Sequence, residues 1–142
     1  MKNKLIFADY DPQTGNSTVA IRNKYGVFQG YATCHPDEEY PSSFAGCRYA
    51  EIRARMQVVR YENALLKAQI EELERFYKIL KGMKGFNPSS MECKRLRKRM
   101  YELNAERKKN KELLKSMKAG LSDAIDKHDV LVKKLTKNIE EN

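Results

Sequence analysis

The chain has 142 residues, 33% of them charged, with a formal net charge of +9 and a mean hydropathy of −0.75. No run of about 18 apolar residues occurs, and the opening MKNKLIFADY is too short and too polar for a signal peptide, so the expected location is the cytoplasm. The three cysteines, Cys34, Cys47 and Cys93, are odd in number and lack CxxC spacing; no disulfide framework is expected, and the adjacent Cys34 and His35 are too little for a zinc site, so no metal or other cofactor is expected either.

Strand signals fill residues 4 to 33. LIFADY is followed by the turn-rich DPQTGN, then STVAIRN, the KYG turn and VFQGYAT, which predicts an antiparallel meander within residues 1–34. In the second strand Val19 and Ile21 share one face while Thr18, Ala20 and Arg22 take the other. One side of the sheet is therefore apolar and needs a helical cover.

Residues 35–46 read as a linker with two prolines, three acids and two serines, in which Ser42 or Ser43 is a candidate N-cap for the first helix. Gly46, Cys47 and Arg48 then fall in the first turn, where free backbone amides and the helix dipole favour anions. A cation at that end is unfavourable unless it meets a negative group. Arg48 either pairs with Asp37, Glu38 or Glu39 of the linker, or faces a bound phosphate.

The first helix is predicted over about 47–81. Ile52, Val59, Leu66, Leu73 and Leu80 recur every seven residues and interleave with Met56, Ile70 and Tyr77, a seam built to lie against another helix. The tip, 82–90, carries Gly82 and Gly85 to end this helix, Phe86 and Asn87 in the turn, and Ser89 or Ser90 to cap the next. Phe86 either plugs the end of the hairpin or, with Asn87 and the arginines that follow, stacks a base.

The second helix, about 90–139, restarts the pattern with Leu96, Leu103, Met117, Ala124 and Leu131 in one row and Met100, Leu114, Leu121 and Leu135 in the other. Three polar residues interrupt the seam, Asn63 in the first helix and Arg107 and Asn110 in the second. If the hairpin turns near Gly85 they share one layer, which either fixes register or forms a niche where Arg107 holds an anion. By the same register, residues beyond about 124 overhang, and the stripe of Ile125, His128, Val132 and Ile139 needs the sheet or a second copy as cover. Between Ser90 and Ala119 eleven cations, Lys94, Arg95, Arg97, Lys98, Arg99, Arg107, Lys108, Lys109, Lys111, Lys115 and Lys118, face four acids. That face is either solvated or meets an anionic partner.

The fold class expected is thus α+β, a small N-terminal antiparallel sheet followed by a long antiparallel two-helix coiled-coil hairpin. It is expected to form one folding unit, and to be oligomeric because a two-helix hairpin has little interior. The order YDPQTG, STVAIRNKYGVFQGYATCHPDE, SSFAGCRYAEIRAR and paired helices resembles small proteins encoded by phages of Firmicutes, and most closely the first type of Thoeris anti-defence protein. The resemblance covers layout rather than a diagnostic motif. It implies a sponge that sequesters cyclic ADP-ribose isomers, and in some members cyclic oligonucleotides, without cleaving them, with pockets where subunits meet. By residue type it assigns Phe86 and Asn87 to adenine, Arg95, Arg99 and Arg107 to the pyrophosphate, and the turn of Ser43, Gly46, Cys47 and Arg48 to a second phosphate-bearing ligand. His35 and His128 are the only histidines and neither has an identifiable catalytic nucleophile or acid partner in its local sequence, so no enzyme activity is expected. The alternatives are a protein-directed phage inhibitor such as an anti-CRISPR, and a coiled-coil nucleic-acid binder.

Overall fold

The computed structural model describes residues 2–33 and 43–141 and shows an α+β chain, a three-stranded antiparallel sheet followed by two long helices. Strands β1 (Lys4–Asp11), β2 (Asn16–Asn23) and β3 (Gly26–Thr33) lie in sequence order, and helices α1 (Ser43–Lys81) and α2 (Met91–Glu141) follow. The predicted meander is the one observed. Ser42, the Cys34 and His35 pair and the acids Asp37, Glu38 and Glu39 lie outside the described residues. The chain divides into two compact units, residues 1–58 with 115–142 and residues 59–114.

In the first unit the turns follow from their side chains. Asp11 Oδ1 accepts the Gln13 N–H at 2.9 Å and the Asp11 carbonyl accepts that of Gly15 at 2.7 Å, with Gly15 at φ 74°. Asn23 Oδ1 accepts the Tyr25 N–H at 2.8 Å to open the second turn. The register pairs Leu5 with Ile21, Ala8 with Val19 and Val19 with Gly30, with a bulge between Leu5 and Phe7. Val19 and Ile21, at 1% and 0% exposure, form the core with Ala32, Ala50 and Ala54. The apolar face of the sheet is thus covered by the opening turns of α1, as its alternation requires.

That contact is unusually close. A Cβ on Gly30 would run into the Ala50 carbonyl oxygen and the Ala54 nitrogen, so β3 and α1 touch backbone to backbone. The linker expected to reach residue 46 ends earlier, since α1 already begins at Ser43. Gly46 is helical there despite its low propensity because its bare Cα seats against Ser17 Oγ, a tertiary contact that outweighs the intrinsic cost. Arg53 adds a further tie, donating from its guanidinium to the Tyr31 carbonyl of β3 at 2.7 Å. The overhang expected beyond residue 124 is shorter in the structure. Tyr49 Oη donates to the Ala124 carbonyl at 3.2 Å and its ring meets the half-buried His128 edge-on at 6.3 Å. Leu131, assigned to the seam, is 56% exposed, and the Val132, Leu135 and Ile139 side chains lie outside the described ones.

In the second unit burial follows the seam. Val59, Ile70, Cys93 and Leu103 are buried, and Leu66, Leu73, Tyr77, Leu80, Leu96, Met100 and Leu114 are half-buried. The tip is fixed by its own hydrogen bonds. The Gly82 and Met83 N–H groups donate to the Ile79 and Leu80 carbonyls at 3.1 Å, Gly85 takes φ 82°, and Ser90 Oγ accepts the Cys93 N–H at 3.3 Å. Ser90, rather than Ser89, is therefore the cap of α2.

Candidate anion-binding groove

Along α1, Cys47, Glu51 and Arg55 are four residues apart and so form one row on the helix surface, with Arg48 beside it. This row stands next to the edge strand β1 within the first unit. Leu5, Ala8, Val19, Cys47, Arg48, Glu51 and Arg55 line a groove of about 470 Å³. Its floor is apolar and its rim is charged. Cys47 Sγ is held near the Asp9 carbonyl at 3.8 Å, and Arg55 pairs with Glu51 at 2.9 Å. Arg48 is exposed, and among the described residues no acid forms an ion pair with it. The first turn of α1 also contains no acid. With α1 beginning at Ser43, Arg48 lies beyond its first turn, so the groove presents one guanidinium not neutralised by a described carboxylate beside an apolar floor, without the free amides expected there.

Of the second phosphate site predicted from sequence, the structure brings Cys47 and Arg48 into this groove and puts Gly46 one residue earlier, against Ser17. Ser43 opens the helix. Ser17 is fully buried, and its Oγ makes no hydrogen bond. Glu51, Arg55, Leu5 and Ala8 escaped the sequence reading. The four-residue spacing from Cys47 was visible, but its proximity to β1 depends on tertiary packing.

The other predicted constellation, Phe86, Asn87, Arg95, Arg99 and Arg107, is not brought together within one copy of the chain. Phe86 is half-buried with its ring edge-on to Tyr77 at 6.0 Å. Asn87 is committed to the turn, its Oδ1 accepting the Ser89 N–H at 3.0 Å and its carbonyl that of Ser90 at 3.1 Å. Arg95 is exposed, Arg99 lies 3.7 Å from Glu102, and Arg107 is half-buried in the seam. At 1.5 Å per residue the start of α2 and Arg107 are roughly 24 Å apart, beyond the reach of one small nucleotide. Phe86 and Asn87 serve the turn, Arg95 and Arg99 are neighbours on one helix face, and Arg107 lies two turns beyond Arg99 and about 80° further round. Arg97, not predicted for any role, donates to the Pro88 carbonyl at 2.6 Å and braces the tip.

The three residues expected to form a polar layer are each at least partly covered within the second unit. Asn63, Arg107 and Asn110 are all half-buried. Asn63 Oδ1 and Arg107 Nε are shielded from solvent without a hydrogen-bond partner.

Fold and groove together define a small α+β protein with an open groove whose rim carries Arg48, Glu51 and Arg55. Among the described residues no three His, Cys, Asp or Glu side chains converge as a metal site, and no helix is long and apolar enough to cross a membrane. No protein-family model matches the chain, and no curated protein and no solved structure matches it.

Proposed function

We propose that this protein binds and sequesters a small anionic cyclic nucleotide without cleaving it. The reading joins the groove to the resemblance in sequence layout, which points to a cyclic ADP-ribose isomer as the immune signal captured and to a phage anti-defence role in the host bacterial cytoplasm. The observation that carries it is the placement of Arg48, a guanidinium with no described acidic partner, beside the apolar floor of Leu5, Ala8 and Val19. A base or ribose occupies the floor and a phosphate the rim, where Arg48 offers a two-pronged hydrogen bond. As a homo-oligomer the protein carries one such groove in each copy.

Calorimetry with a cyclic ADP-ribose isomer tests this directly. Arg48→Ala is expected to weaken binding by about 1.5–3 kcal/mol, the range for a charge-assisted hydrogen bond. Phe86→Ala and Arg95→Ala are expected to leave it unchanged. After heat denaturation the nucleotide is expected to return with its original mass. Recovery of a cleaved nucleotide would make the protein an enzyme, and full affinity in Arg48→Ala would remove the groove as the site.

A further inference from the structure

The cations of α2 are sorted by direction. At 100° per residue, the sector about 160° wide centred on Tyr101, from residue 94 to residue 111, contains Lys94, Arg97, Lys98, Asn104, Ala105, Lys108, Lys109 and Lys111 and not one acid. Glu92, Glu102 and Glu106 fall outside that sector, whereas Glu112, the residue after Lys111, lies about 20° from Tyr101 and so bounds the acid-free stretch on the same face. All these residues lie in the second unit and all are exposed. A helix that only needed to stay soluble would gain by mixing signs at positions three and four apart. Here like charges are placed together and carry a standing repulsion that a polyanion relieves.

In the middle of the sector Tyr101 is 76% exposed, more than any other large apolar or aromatic side chain described. An open hollow of about 890 Å³ is walled by α2 alone, by Tyr101, Asn104, Lys108, Lys109 and Asn110 together with the acids Glu106 and Glu112. An exposed ring flanked by lysines, with an amide one turn away, matches the combination that holds an unpaired strand: bases stack on the aromatic while the lysines track the phosphates. The sector is roughly 26 Å long at 1.5 Å per residue, the length of a few nucleotides.

We infer that this face of α2 is a docking surface for single-stranded nucleic acid, centred on Tyr101 and flanked by Lys94, Lys98, Lys108, Lys109 and Lys111. It is separate from the groove and does not depend on what the groove binds. Stacking on Tyr101 separates this partner from an acidic protein, which would use the charges without needing the ring, and from a duplex, whose bases are not free to stack.

The experiment is fluorescence anisotropy of the full-length protein with a labelled 15-nucleotide thymidine strand and its uridine counterpart, across a salt series. The logarithm of affinity is expected to fall against the logarithm of salt with a slope of about −3 to −4, since each phosphate contact on a single strand contributes about −0.7. Lys108→Gln is expected to reduce that slope by about 0.7. Tyr101→Ala is expected to weaken binding roughly 5- to 150-fold without changing the slope, whereas Tyr101→Phe keeps the stacking face and stays within about twofold of the unaltered chain. Arg48→Ala should leave strand binding intact, so failure of the groove and failure of this surface are read separately. No binding at low salt, equal binding to polyglutamate, or an unchanged affinity in Tyr101→Ala would overturn the inference. Circular dichroism of each variant confirms that these exposed substitutions leave the helices in place.

Discussion

Gly30→Ala puts the sharpest strain on the first unit. The added methyl would meet two backbone atoms of α1, the Ala50 carbonyl oxygen and the Ala54 nitrogen, neither of which can rotate aside as a side chain tip would. Overpacking that side chains can absorb costs about 1–3 kcal/mol. Here relief requires the helix to lift from the strand, loosening Val19, Ile21 and Ala32 against Ala50 and Ala54, so the expected loss is about 3 kcal/mol or more. For a chain of this size that corresponds to a fall in Tm of roughly 10 °C. The assay is urea and thermal unfolding followed by circular dichroism and by tyrosine fluorescence, which is usable because the chain has eight tyrosines and no tryptophan. Because the colliding atoms are backbone, a compensating Ala50→Gly or Ala54→Gly is not expected to restore stability. A Gly30→Ala protein within about 0.5 kcal/mol of the original, or one rescued by Ala50→Gly, would refute the close backbone contact.

At Gly120 the opposite outcome is expected: nothing lies within 4 Å of an added Cβ and α2 runs through the position, so Gly120→Ala should stabilise by about 0.5–1 kcal/mol, read as a higher urea midpoint. The paired substitution Asn63→Leu with Arg107→Leu removes two buried, unmatched polar atoms and is expected to raise stability by about 1–4 kcal/mol in calorimetric unfolding. A less stable double variant would mean that ordered water or another group satisfies the layer.

The periodic parts of the molecule were legible because each position repeats the same physical demand. The seam from Val59 to Leu80 and from Cys93 to Leu114 is buried where sevenfold spacing places it, and the alternation of Val19 and Ile21 marks the covered face of the sheet. The turn residues were equally readable, since Asp11, Asn23 and Ser90 act on neighbours in the sequence. The groove was legible only in part. Cys47 and Arg48 stood out at a helix start, but Leu5 and Ala8 join them through packing over some forty residues of sequence, for which no local pattern exists. The early start of α1 was hidden for the same reason, since Gly46 looks like a helix breaker until its seat against Ser17 is known. The Phe86 cluster misled because residue types suited to a nucleotide are also those that close a helical turn.

The sevenfold seam also governs how the length of this protein can change. Adding or deleting one residue in α1 alone would rotate every later side chain by about 100° and move the Asn63 layer out of step with Arg107. Lengthening both helices by seven residues restores the phase and displaces the tip by about 10 Å. The hairpin is therefore a ruler graduated in heptads: natural variants that differ in its length should differ in matched steps of seven on either side of the Gly85 turn, while the β turn around Gly15 is under no such rule.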